Sequence, residues 1–167
     1  MYLMQTNNAA TNDNASALPS YGSKYNNGRD IVDIAKLVRS DIANAIKAGL
    51  LPKGLKTGVR IERFSMGRSL NVKITAAPGV CFLSVARVRF DMVEPHEFTR
   101  LPLLSPAGKR IIETLEAIMN AYNRNDSDIM SDYHNVSFYG GARFSGSLEG
   151  ALRAEIVAAV NGAQVAS

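Results

Sequence analysis

Between Leu55 and Thr75 the chain alternates apolar and polar residues on either side of Gly67, a pattern that reads as a β-hairpin. Val59 and Ile61 alternate with Arg60 and Glu62; beyond the glycine, Leu70, Val72 and Ile74 alternate with Asn71, Lys73 and Thr75. Successive side chains of a strand point to opposite faces, so the first set is expected to face a core and the second to face outward. Met66, Gly67 and Arg68 fall at the turn, where Gly67 is expected to supply the positive φ that a short hairpin loop often needs. The outward face would carry Lys56, Arg60 and Lys73, with Arg63 and Arg68 near the turn. Such a face suits an anionic partner and offers no catalytic group.

Charge along the chain supports the same reading. From Arg29 to Lys73 there are ten Lys or Arg against four Asp or Glu, whereas the net charge of all 167 residues is only +4. An uneven distribution of this kind steers anionic partners toward one end of a molecule. Its bland counterpart is a set of solvating cations on a helix face and a sheet edge, where lysine also discourages edge-to-edge pairing.

Helical periodicity flanks the hairpin. Ile31, Ile34, Ala35, Val38, Ile42, Ala45 and Ile46 recur at three- and four-residue steps, with Asn27 or Asp30 as N-cap and Gly49 and Pro52 as stops. Ser105-Pro106 forms an N-cap and N1 pair for a second helix bearing Ile111, Ile112, Leu115, Ile118, Met119 and Tyr122. A third, capped by Ser147, carries Leu148, Leu152, Ile156 and Val160. Residues 80–93 read as either a third strand or an extended loop, and Pro95, Pro102 and Pro106 punctuate the connection beyond them. Residues 135–144 alternate again, Val136, Phe138, Ala142 and Phe144 inward against Ser137, Tyr139 and Arg143, while Gly140-Gly141 permits a bulge or a close approach.

The order is helix, β-hairpin, variable segment, helix, strand, helix. This predicts an α+β domain over residues 28–163, a mainly antiparallel sheet with helices packed on one face. Residues 1–27, rich in Asn, Ala, Ser and Thr, are expected to be a flexible low-complexity tail, and 164–167 a short C-terminal tail.

Few residues offer chemistry. Asp126, Asp128, Asp132 and His134 are the one set suited to a divalent ion, but the spacing lacks the glycine and glutamate of a calcium loop, and Asp also enters loops for backbone reasons. Cys81 could pair with His96 or His134 as a nucleophile, yet its neighbours Val80 and Phe82 suggest a small core hydrophobe. No cofactor and no enzymatic activity are expected. The single cysteine fits a reducing cytosol, the first residues lack the basic and apolar regions of a signal peptide, and no apolar run approaches the ~20 residues of a membrane span. Tyr139 and Arg143, set beside Arg60 and Lys73, would make a platform for a single strand, unless the last helix covers that face. Phe82, Phe90, Met92 and Phe98 are candidate protein-interface anchors, with core packing the plainer role of the first two.

Two blocks carry a resemblance to a known family. Leu37-Val-Arg-Ser-Asp-Ile-Ala-Asn-Ala-Ile-Lys-Ala-Gly49 with Leu51-Pro-Lys-Gly-Leu-Lys-Thr-Gly-Val-Arg-Ile-Glu-Arg-Phe-Ser65 resembles the opening of the large polyvalent protein-associated domains, type 29. Glu116-Ala-Ile-Met-Asn-Ala-Tyr-Asn-Arg-Asn-Asp-Ser-Asp128 and Ser131-Asp-Tyr-His-Asn-Val-Ser-Phe-Tyr-Gly140 are similar to the second half of that family. The resemblance spans residues 29–144 and implies a phage or conjugative-element setting, with shielding of incoming DNA or blockade of restriction or CRISPR systems. It implies no catalytic residues. The near-standalone module suggests a dedicated counter-defence protein, anti-CRISPR-like, whose partner is a host defence ribonucleoprotein or its subunits. The alternative is a nucleic-acid-binding accessory module.

Overall fold

A computed structural model describes residues 20–125 and 136–165. A two-residue strand, β1 (Ser20–Tyr21), leads into helix α1 (Ile31–Lys47), and the hairpin follows as β2 (Lys56–Phe64) and β3 (Gly67–Ala76). Helices α2 (Val85–Val93) and α3 (Pro106–Asn120), short strands β4 (Arg124–Asn125) and β5 (Ala142–Phe144), and helix α4 (Gly146–Val165) complete the order. The fold is α+β. One sheet has the order β2-β3-β5, and β1 pairs with β4 in a separate two-stranded ribbon.

The hairpin forms in the register its alternation demands, with Val59 opposite Val72 and Ile61 opposite Leu70. Helix α1 packs on β2 and β3, and it buries Ile31, Ile34, Ala35, Val38, Ile42 and Ala45. Asp30 is its N-cap, accepting from the Val32 amide, and Gly49 at φ 77° ends it. Ser105 caps α3 and Pro106 opens it, as the sequence predicts; the Ser105 hydroxyl also donates to the Cys81 carbonyl at 2.7 Å. Phe82 lies flat on Phe144, ring centroids 3.9 Å apart, so the end of the sheet is sealed by an aromatic stack.

Several expectations are corrected. Residues 80–93 give neither a strand nor an extended loop along their length: α2 occupies Val85–Val93. Ser84 caps it, accepting from the Arg87 amide at 3.3 Å, and Arg87 pairs with Asp91 one turn later, so local capping and i,i+4 pairing outweigh the β-prone composition. Gly67 does not take positive φ, because the strands meet in a tighter turn at Ser65 and Met66. Gly67 is needed for space: a Cβ there would sit 2.9 Å from the Phe64 ring and 3.2 Å from that of Tyr139. Helix α4 is capped by Ser145, which accepts from the Leu148 amide, and not by Ser147. The last strand is shorter than expected and runs parallel to β3, so only the hairpin is antiparallel within the main sheet.

The N-terminal boundary also moves. Tyr21 pairs with Arg124, Gly22 donates to the Asn123 carbonyl, and Lys24 donates to the Ala121 carbonyl. The Lys24 ammonium and the Tyr122 hydroxyl both bond Asp41, tying this segment to α1 and to the residue that follows the α3 cap. Residues 20–27 therefore belong to the folded unit.

Candidate functional site

Side-chain parity along the sheet sorts the seven candidate residues into three places. Lys73 faces Gly58 on one side and Arg143 on the other; Arg60 sits diagonally, opposite Asn71. Lys73, Arg60 and Arg143 are all exposed, on the face that points away from the buried Leu70, Val72 and Ile74. None of the three forms an ion pair or a side-chain hydrogen bond among the described residues. Helix α4 packs on α2 and also touches β3, while Arg60, Lys73, Thr75 and Arg143 stay exposed on this face. Like charges on directly paired positions of neighbouring strands, about 5 Å apart, repel each other, and an anion between them removes that cost.

At the turn end the same face becomes aromatic. Tyr139 is bridged to Ser69 and is 44% exposed, and Phe64 is 50% exposed; their rings lie 6.1 Å apart, tilted by 38°. Tyr139 is held by two backbone bonds, its amide to the Arg68 carbonyl at 2.9 Å and its carbonyl to the Leu70 amide at 2.8 Å. Cations at one end and open ring faces at the other make a surface on which bases can stack while phosphates pair.

Arg63 and Arg68 lie elsewhere. They oppose each other in the register but share the parity of Val59 and Ile61, and so lie toward α1; Arg63 Nη2 is 3.7 Å from Asp30. Arg68 donates from Nε to the Ser137 carbonyl at 2.8 Å. It lines a cleft of about 410 Å³ together with Tyr25, Arg29, Arg124 and Tyr139. Lys56 stands beyond a register shift, opposite Ala76, and lines a different cavity of about 730 Å³ against α4. A single face carrying all five hairpin cations is thus not formed, because alternation separates them and the bulge displaces Lys56. Phe64, Tyr25 and Arg29 escaped the sequence reading. Phe64 lay at a turn, and the other two lay in or beside a segment whose composition suggested a tail.

Asp41 shows how the surrounding frame is held. Burial pushes its carboxyl up, but the Lys24 and Tyr122 hydrogen bonds outweigh that and hold it below the usual range. Asp91 is held down by hydrogen bonds from Arg87 and then Arg153, which ties α2 to α4.

Among the described residues, no group of three His, Cys, Asp or Glu side chains is placed to hold a metal ion. Asp126, Asp128, Asp132 and His134 lie outside the described residues. Cys81 is exposed and not the core hydrophobe its neighbours suggested: Val80 is half-buried, Phe82 buried, and the Cys81 thiol donates to the Leu83 carbonyl at 3.6 Å. Of the proposed anchors, Phe82 is core, Phe90 half-buried, and Met92 and Phe98 exposed, Phe98 at 88%. Among the described residues no helix is long and apolar enough to cross a membrane. Comparison with known proteins finds no family model, curated protein or solved structure that matches this chain.

Proposed function

We propose that this chain is a non-enzymatic counter-defence protein of a mobile element, acting in the bacterial cytoplasm by binding a host defence ribonucleoprotein. The observation that carries the binding mode is the open outer sheet face, where Arg60, Lys73 and Arg143 form no ion pair among the described residues and Glu62 is the one carboxylate of β2 on the same side. A guide RNA or its acidic surroundings would supply that charge. The mobile-element setting rests on the sequence resemblance of residues 29–144 to the polyvalent protein-associated domains, beside which no family-model match stands. Blockade then needs only occupancy: a bound inhibitor excludes the target strand or a subunit contact.

A second reading, a nucleic-acid-binding accessory module with no protein target, is favoured by the exposed Phe64–Tyr139 pair. Capture from bacterial lysate with and without nuclease separates the two. Defined defence-complex subunits that survive nuclease support the inhibitor; bulk nucleic acid lost on nuclease supports the module. In either case the face is tested by Arg60→Glu, Lys73→Glu and Arg143→Glu together. Binding to single-stranded RNA, directly or as part of the captured complex, should lose about 2 from the slope of log affinity against log salt, at roughly 0.7 per phosphate-paired cation. An unchanged slope and affinity would remove the face from the interface.

A further inference from the structure

We propose that the cleft behind the β2–β3 turn is a binding site for one phosphorylated nucleoside unit, and that Arg29 and Arg68 hold its phosphate while Tyr25 and Tyr139 flank its base. The cleft encloses about 410 Å³, within the ~300–1,000 Å³ range of small-ligand sites. Its walls bring together segments distant in sequence: the turn before α1, the hairpin turn, Arg124, and the segment before β5 that Tyr139 bridges to Ser69. Among the described residues lining it there is no carboxylate, although Arg29 and Arg68 are both partly buried there. Partly desolvated guanidinium groups that form no ion pair among the described residues, as for Arg29 and Arg68, favour an anion with in-plane acceptors, and phosphate offers them.

The donors are already oriented. Arg68 is fixed through Nε to the Ser137 carbonyl, and its two terminal nitrogens make no hydrogen bond among the described residues. Arg29 is held through Nη1 to the Lys24 carbonyl at 3.4 Å, leaving Nε and Nη2 open. The amides of Asn26, Asn27 and Gly28, beside Arg29 in the cleft wall, donate to no acceptor among the described residues. Backbone amides and arginine forks converging on one space form an anion site. The tyrosines decide the rest of the ligand. Tyr25 and Tyr139 both line the cleft and supply ring faces suited to a planar base, which an acidic peptide would not use.

The shared chemistry is a nucleoside phosphate, whether a free mononucleotide or the 5′-phosphorylated end of a single strand. This site adjoins the outer face through Tyr139 and rests in part on the nucleic-acid-facing reading above, but it is separable from it. The test is titration of the intact protein with adenosine 5′-monophosphate, with a 5′-phosphorylated tetranucleotide, and with a glutamate-rich peptide, followed by tyrosine fluorescence and calorimetry. Saturable binding of the mononucleotide or the phosphorylated strand is expected, weakened about tenfold or more in Arg29→Gln and again in Arg68→Gln. Tyr25→Leu should weaken the nucleoside phosphate and leave inorganic phosphate unchanged. Circular dichroism and thermal melting confirm that each variant folds; should Arg68→Gln unfold, Arg29→Gln and Tyr25→Leu decide alone. Preference for the tetranucleotide over the mononucleotide assigns the site to strand ends, and equal affinity assigns it to free nucleotides. The Arg60, Lys73 and Arg143 reversal should leave mononucleotide binding intact, so failure of the outer-face reading is distinguishable from failure of this one. No saturable binding at millimolar ligand, affinity unchanged in the variants, or equal binding of the acidic peptide would overturn the proposal.

Discussion

Gly140 is where backbone geometry and the candidate interface depend on one another, and Gly140→Ala makes that dependence measurable. Its φ is 132°, in the region that side-chain-bearing residues rarely adopt, and a Cβ built there would lie 2.0 Å from the Leu70 carbonyl oxygen and 2.8 Å from the carbonyl carbon. Contacts under 3.0 Å are essentially never seen for real Cβ atoms, so the segment leading into β5 must move away from β3. Two backbone bonds flank the clash, Leu70 N–H to the Tyr139 carbonyl at 2.8 Å and Val72 N–H to the Gly141 carbonyl at 3.0 Å. Such a move costs about 1 kcal/mol for each bond. The strained φ adds about 1–3 kcal/mol. The sum is about 3–5 kcal/mol, a large share of a total stability of about 5–15 kcal/mol. Urea denaturation should therefore show a large loss, and melting should fall by about 6–20 °C at about 2–4 °C per kcal/mol for a chain of this size. Gly141→Ala is the control: its φ is not positive, and its Cβ would meet only the Glu116 Oε1 at 3.1 Å, the far end of a side chain that can move. A Gly140→Ala loss no greater than that of Gly141→Ala would refute the reasoning. If it is borne out, Tyr139 is displaced with its peptide, and strand binding should fall even where the protein remains folded.

Two further outcomes rest on groups the structure places. Asp41 and Asp91 have folded-state values below the ordinary carboxylate range, so they contribute stability above about pH 4 that is lost as pH falls through their folded values. Urea midpoints should drop as pH falls from about 5 to about 2, and Asp41→Asn should flatten that drop; an equal drop in the variant would place the acid sensitivity elsewhere. Cys81, exposed in the native fold, should react with a disulfide reagent within about tenfold of a free peptide thiol. Protection by several hundredfold would return it to the core.

What the sequence determined by itself was local. The hairpin register followed from period-two alternation, because one face of each strand had to be buried and a slip of one residue would expose it all. Helices α1 and α3 followed from three- and four-residue apolar spacing with Asp30, Ser105 and Pro106 at their starts. The outward set Arg60, Lys73 and Arg143 was legible for the same reason. Tertiary structure alone decided the rest. It anchored α2, a helix that local capping by Ser84 and the Arg87–Asp91 pair form from a β-prone run, to α4 through Arg153 on Asp91. It drew residues 20–27 out of an apparent tail by giving Lys24 a partner in Asp41. It also divided the basic residues among an open face, a cleft and a cavity. Periodicity reports which side of its own element a residue occupies, but not which other element lies opposite; that depends on long-range packing, which no local pattern encodes.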